Sequence, residues 1–128
     1  MKTYQLYMNG QWQDASSQEK REVLNPTTEA AIAQVQMANQ EDVDQAVAAA
    51  KAAFPAWNQL PRQERANYLQ KIADGIRERQ DDLIDSIVQE LGSSRSYVAY
   101  QQVLRSAEEL EASIQASEAI DFEQTIEN

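Results

Sequence analysis

The 128-residue sequence contains no cysteine and no histidine. The absence of cysteine excludes disulfide bonds, thiolate metal sites and a cysteine nucleophile from this chain. The absence of histidine removes the commonest general base and the commonest metal-ligating side chain. The chemical groups that remain are carboxylates, lysine, tyrosine and oxygen ligands for a hard metal ion.

Basic residues and long apolar runs are also scarce. Eleven lysines and arginines stand against 21 acids, which gives a net charge of -10. Such a surface repels phosphate groups, so we expect neither nucleic acid nor an anionic membrane as a partner. The longest weakly polar run, residues 46–57, contains Lys51 and is too short to span a bilayer. No apolar signal segment follows Met1, so the sequence predicts a cytoplasmic protein.

Glycine occurs only at positions 10, 75 and 92. No glycine-rich turn of the kind that cradles a nucleotide between a strand and a helix is present. The sequence therefore predicts no cofactor-binding residue in this chain.

Strands and turns are predicted for residues 1–38. Residues 4–8 and 11–13 flank Asn9-Gly10, which is the strongest two-residue signal for a β-hairpin. Residues 21–24 and 31–37 predict two further short strands. At the other end, residues 117–128 are predicted to begin a hairpin strand, because apolar and polar residues alternate over 120–126.

About four helices are predicted between residues 39 and 116, and the chain as a whole is predicted to form a single partial domain. Asn39 is suited to cap the first helix, Pro61 to begin the second, and Gly92 to end the third. Tyr97 and Tyr100 on the fourth helix are expected to pack in a core. The apolar residues of the first helix recur at steps of three and four, which places them on one face: Val43, Val47, Ala50, Phe54 and Trp57.

With these segments placed, several short strings together resemble the N-terminal segment of the NAD(P)-dependent aldehyde dehydrogenases. They are residues 7–12 (YMNGQW), 23–29 (VLNPTTE), 41–47 (EDVDQAV), 54–57 (FPAW) and 90–92 (ELG). Each string is weakly specific, but their order and spacing match the family over nearly the whole chain. The resemblance implies an α/β aldehyde-dehydrogenase fold, to which this mainly helical chain with its short N-terminal strands would contribute one part.

The resemblance also implies that the chemistry of the family lies in later segments. Those segments supply a cysteine nucleophile, a glutamate base, an asparagine for the oxyanion, and the lysine and glycines that hold NAD or NADP. No catalytic residue and no bound cofactor is therefore expected in this chain, which should be inactive alone. The missing remainder of the fold is the expected partner. Without it, exposed apolar helix faces favour self-association.

Two pairs of residues match functional positions of the family. Leu24 and Glu90 match positions that hold a monovalent cation in some members, and carbonyl and carboxylate oxygens suit such an ion. Gln101 and Arg105 fall near positions that line the substrate entrance in family members, and they share a helix face because they are one turn apart. There Arg105 would attract an anionic aldehyde such as a semialdehyde acid. The alternative for the first pair is a strand-end residue and a solvated acid at a helix end, and for the second pair an exposed polar helix face. The acids at 81, 82 and 85 are interpreted instead as the start of a helix.

Two other functions stay open from the sequence. The chain could be one subunit of a split enzyme whose second polypeptide supplies the cysteine and the nucleotide site. It could also be an independent acidic helical module that binds another protein.

Overall fold

The computed structural model describes residues 1–121 and 125–126. Its contacts fall into two compact units, and each is described by itself. The first unit contains Met1–Leu60 and Ser86–Ser93, and the second contains Pro61–Asp85 and Ser94–Asn128. Within the described part of the chain, no helix combines the length and the apolar character needed to cross a membrane.

Five short strands form two sheets in the first unit. The strands are β1 (Lys2–Tyr4), β2 (Leu6–Met8), β3 (Gln11–Gln13), β4 (Lys20–Leu24) and β5 (Ala31–Gln36). β2 and β3 form the predicted antiparallel hairpin. Asn9 and Gly10 at its turn both have positive φ, as a tight hairpin turn requires. The second sheet has the order β1-β5-β4, with β1 parallel and β4 antiparallel to β5.

The prediction of one strand over residues 4–8 was wrong, because the chain changes sheets at Gln5. Lys2–Tyr4 pairs with β5, whereas Leu6–Met8 pairs with β3. The side-chain amide of Gln5 donates to Asp14 Oδ1 at 3.0 Å and so holds the break between the two strands. A parallel pairing between residues about 30 positions apart leaves no local sequence signal.

The helical part confirms the prediction of a mainly helical chain. The elements are α1 (Gln40–Gln59), α2 (Arg62–Glu78), α3 (Gln80–Leu91), α4 (Arg95–Val98), a π-helical segment (Ala99–Leu104) and α5 (Arg105–Glu118). The last three are continuous and form the predicted fourth helix. Pro61 is the N-cap of α2, not its first helical residue. α5 ends two residues beyond the predicted limit of 116.

The strand predicted over residues 120–126 lies partly outside the described residues. Ile120, Asp121, Thr125 and Ile126 are described, and they adopt no regular secondary structure.

The two units differ in how much apolar surface they bury. Six apolar residues are buried in the second unit. Ile84 lies on α3, and the other five lie on α2, α4, the π segment and α5: Ala66, Ala73, Val98, Val103 and Ala107. Among the described residues of the first unit, the only buried ones are Ala15, Ala33 and Asp42. The first unit therefore has almost no apolar core of its own.

Several residues predicted as packing residues are exposed. Tyr97 and Tyr100 are each 55% exposed, because Val98 takes the buried position on that turn. On α1, Val47 is 61% and Phe54 is 60% exposed. The predicted apolar face of α1 is thus present, but it faces outward from this chain.

Candidate functional site

A tight turn after β4 meets the end of α3 within the first unit. Asn25 organises the turn, since its Oδ1 accepts hydrogen bonds from the backbone N–H groups of Thr27 and Thr28. Gly92 lies directly against this turn with a φ of +72°. A Cβ atom at position 92 would stand 2.9 Å from Pro26 Cγ. The contact therefore requires glycine on both conformational and steric grounds.

The two cation candidates flank this contact. Leu24 is the last residue of β4 and half exposed, two residues before Pro26. Glu90 is exposed in the last turn of α3, two residues before Gly92. The structure thus brings the segments that carry the two residues together. Carbonyl and carboxylate oxygens are the ligand type that a hard cation takes. No group of three or more acidic side chains with metal-binding geometry occurs among residues 1–121 and 125–126.

The two entrance candidates lie on the π segment and the start of α5 in the second unit. Arg105 Nη1 donates to Gln101 Oε1 at 3.3 Å, and Arg105 Nε donates to Glu109 Oε1 at 2.9 Å. The predicted shared face of Gln101 and Arg105 is therefore confirmed. Both side chains are exposed. Glu109 holds the guanidinium along the helix surface and neutralises part of its charge.

The π segment explains how Val98 and Val103 are buried on the same side of the helix. Val98, Val103 and Ala107 are all buried, at steps of five and then four residues. An α-helix turns every 3.6 residues, so a five-residue step would carry Val103 off the face of Val98. The wider turn, in which Arg105 N–H bonds to the carbonyl of Tyr100, absorbs the extra residue. The sequence pattern did not reveal this turn.

Deleting Tyr100 should therefore convert the π turn to α-helix while Val98 and Val103 keep their buried positions. We expect the free energy of unfolding to change by less than about 1 kcal/mol, within the range of exposed positions. Deleting exposed Ala112 from α5 is the control, because it rotates Ile114 and the rest of α5 away from α2. That deletion should cost about 2–3 kcal/mol. Urea unfolding followed by circular dichroism measures both, and equal losses would contradict the register argument.

Asp81 and Asp85, in the first half of α3, both form ion pairs with Arg95. Arg95 Nη2 lies 3.6 Å from Asp81 Oδ1, and Arg95 also bonds to Asp85. The Asp85 carboxylate raises the pKa of the Arg95 guanidinium, and Asp81 adds to the effect. This arrangement agrees with the interpretation of these acids as residues at the start of a helix.

The site that the sequence did not predict is centred on Asp42, which is only 2% exposed. Asp42 and Asn39 form a reciprocal capping box at the start of α1. The Asp42 carboxylate also accepts the backbone N–H of Ser16 at 3.0 Å and the Ser16 hydroxyl at 2.8 Å. We call this set of hydrogen bonds the Asp42 clasp. It links the segment after the hairpin to α1. The sequence did not predict it, because Ser16 and Asp42 lie 26 residues apart.

The glycines do not form a nucleotide site. Gly10 lies in the hairpin turn, Gly75 inside α2 and Gly92 after α3. None of these positions joins a strand to the beginning of a helix. The three glycines therefore do not form the strand-to-helix phosphate turn of a dinucleotide-binding fold.

Comparison with known proteins gives a consistent result. The sequence model of the Aldehyde dehydrogenase family matches residues 12–128. A 3,6-anhydro-alpha-L-galactose dehydrogenase of Vibrio sp. (strain EJY3) is 38% identical over 92 residues, which are 72% of this chain and 19% of that protein. Malonate-semialdehyde dehydrogenase 1 of Oceanobacillus iheyensis is 40% identical over 93 residues, 73% of this chain and 19% of that protein.

A solved structure shows the same fold. Aldehyde dehydrogenase C of Pseudomonas syringae, a mutant complexed with NAD+ and octanal, has a TM-score of 0.92 and 34% identity; the match covers 98% of this chain and 26% of that one. The present chain thus spans about a fifth to a quarter of the relatives it matches. It belongs to the aldehyde dehydrogenase family and corresponds to an N-terminal segment of that fold.

Proposed function

We propose that this chain is the N-terminal structural part of an NAD(P)-dependent enzyme that oxidises an aldehyde to a carboxylic acid, and that it is inactive alone. The observation that carries the proposal is the family match over residues 12–128. Oxidation by this route needs a thiolate to attack the carbonyl carbon, a nicotinamide to accept hydride and a base to activate water. This chain has no cysteine, and its glycines do not fit a nucleotide. The proposed location is the cytoplasm, and the net charge of -10 favours a soluble protein.

The proposed partner is a polypeptide that carries the remaining segments of the fold. The chain exposes 9913 Å² of surface. A monomeric protein of 14.5 kDa exposes about 6,900 Å². This excess of about 3,000 Å² lies on one chain, whereas obligate interfaces of about 2,000–5,000 Å² are counted over both partners, so the excess is large enough for an obligate interface. The nearly absent apolar core of the first unit supports the same partner.

Within that assembly, we assign Leu24 and Glu90 to a monovalent cation, and Gln101 and Arg105 to the substrate entrance. The contact between Gly92 and Pro26 supports the first assignment, because it holds the two donor segments together. The exposed guanidinium of Arg105 supports the second and favours an aldehyde that carries a carboxylate. One relative, the malonate-semialdehyde dehydrogenase, is named for such a substrate.

The test is complementation. The chain is co-expressed with the part of the Pseudomonas syringae enzyme that it does not cover, and NADH formation from octanal is followed by absorbance. We expect activity from the pair and none from either polypeptide alone. A pair that assembles but stays inactive, or activity of this chain alone, would contradict the proposal.

The same complemented enzyme tests the site residues. Arg105→Gln should raise KM for a semialdehyde acid by about tenfold and leave KM for octanal unchanged, since only the acid carries a carboxylate that the guanidinium can bind. Glu90→Gln should weaken the dependence of activity on sodium or potassium.

A further inference from the structure

The exposed apolar face of α1 has the spacing of a helix-pairing seam. Its residues are Val43, Val47, Ala50, Phe54 and Trp57, and we call them the α1 seam. They are separated by four, three, four and three residues. This is the a/d spacing of a heptad pattern, sustained over two heptads. Because α1 is already folded on the first unit, the seam does not need to pair in order to be helical.

The charges beside the seam select its orientation. Asp44 and Lys51 follow the seam residues Val43 and Ala50 by one position, so both lie on the same flank. When two such helices run antiparallel, equivalent flanks face each other, and Asp44 of one copy meets Lys51 of the other. The two-fold axis gives this pair twice. In a parallel arrangement these residues would face Asn39 and Ala46, and neither charge would be matched.

The packing across the seam agrees with the charges. In the antiparallel register, Val43 lies opposite Phe54 of the second copy, and Val47 lies opposite Ala50, so a larger side chain faces a smaller one in each layer. The other flank carries Ala46 and Ala53, whose small side chains permit a close approach of the helices. An apolar groove of about 340 Å³ borders this flank, lined on the hairpin side by Tyr7 and Met8.

We propose that, in the absence of the rest of the fold, the α1 seam binds a second copy of this chain in antiparallel orientation. The dimer is isologous, and its two-fold axis crosses α1 between Val47 and Ala50. Two heptads and a net charge of -10 on each copy limit its affinity. We expect a Kd on the order of 10 µM.

Sedimentation equilibrium of the full chain tests this between roughly 1 and 300 µM. The average mass should rise from 14.5 kDa toward twice that value. Asp44→Lys and Lys51→Asp should each weaken the dimer about tenfold, because each replaces two attractive contacts by repulsive ones. The double exchange should restore affinity to within about threefold of the parent chain. Circular dichroism verifies that each variant remains helical.

Cysteine substitutions report the orientation, since the chain contains no cysteine of its own. A mixture of Val43→Cys and Phe54→Cys copies should form the mixed disulfide under mild oxidation. Rapid crosslinking of Trp57→Cys with itself would indicate parallel helices and overturn the proposal, as would failure of the double charge exchange to restore dimerisation. A chain that stays monomeric, and gains mass only with the complementing polypeptide, would assign the α1 seam to that partner and also overturn it.

Discussion

Replacing Gly92 by alanine should lower the free energy of unfolding by about 2–4 kcal/mol. Part of the loss, about 1–2 kcal/mol, comes from placing an L side chain at a φ of +72°. The rest comes from overlap, because the new Cβ would stand 2.9 Å from Pro26 Cγ, and overpacking typically costs about 1–3 kcal/mol. Urea titration followed by circular dichroism measures the change.

The two other glycines are matched controls. Gly10 also has positive φ, at 78°, but no atom lies within 4 Å of its ideal Cβ. Gly10→Ala should therefore lose only the conformational part. Gly75 lies inside α2 with the same free space, so Gly75→Ala should stabilise the chain by up to about 1 kcal/mol.

A double-mutant cycle separates overlap from conformation. Pro26→Ala removes Cγ, so Gly92→Ala should cost less in the Pro26→Ala background than in the parent chain. Equal losses at positions 92 and 10, with no coupling to position 26, would show that the contact between the turn and the end of α3 contributes nothing.

The elements that local chemistry dictates were predicted from the sequence. The hairpin at Asn9-Gly10, the cap at Asn39 and the helix end at Gly92 each depend on residues within four positions of one another. Their conformations follow from backbone preferences and short hydrogen bonds, and the structure confirms all three.

Features that depend on distant partners could not be predicted in this way. β1 pairs with β5 across about 30 residues, and Asp42 bonds to Ser16 across 26. Neither partner is marked by its neighbours in the sequence. The π segment could not be predicted for another reason. Tyr97, Tyr100 and Val103 fit a regular helical face, so the pattern predicted an α-helix, whereas the residues actually buried, Val98 and Val103, are five positions apart. Periodicity alone identifies an apolar face, but it does not say what covers that face, as α1 shows.

Because of the Asp42 clasp, the free energy of unfolding of this chain should decrease at acidic pH. Hydrogen bonds from the backbone N–H of Asn39, and then from Ser16, lower the pKa of Asp42 below its ordinary value of 3.8. Burial acts in the opposite direction and does not outweigh them. Because the folded pKa lies below the unfolded one, the carboxylate contributes stability that is fully present above about pH 5. That contribution is lost as the pH falls through 3.8 toward the folded value.

Asp42→Asn should destabilise the chain at pH 7 and flatten the fall of stability between about pH 5 and pH 3. Asn39→Ala is the matched control at the other half of the capping box. It should cost about 1 kcal/mol and leave the acid dependence in place, because Asp42 keeps its carboxylate and its bonds to Ser16. The loss from Asp42→Asn should be the larger, since it also weakens the tie between the hairpin segment and α1.

Thermal unfolding of the three chains across this pH range measures the difference. Asp14 contributes a further acid-dependent effect, because hydrogen bonds from Gln5 and Gln36 lower the pKa of its carboxyl as well. The slope in Asp42→Asn should therefore be reduced and not abolished. If Asp42→Asn and the parent chain lost stability in parallel from pH 7 to pH 3, the buried carboxylate would not be the acid-sensitive link between the hairpin and α1.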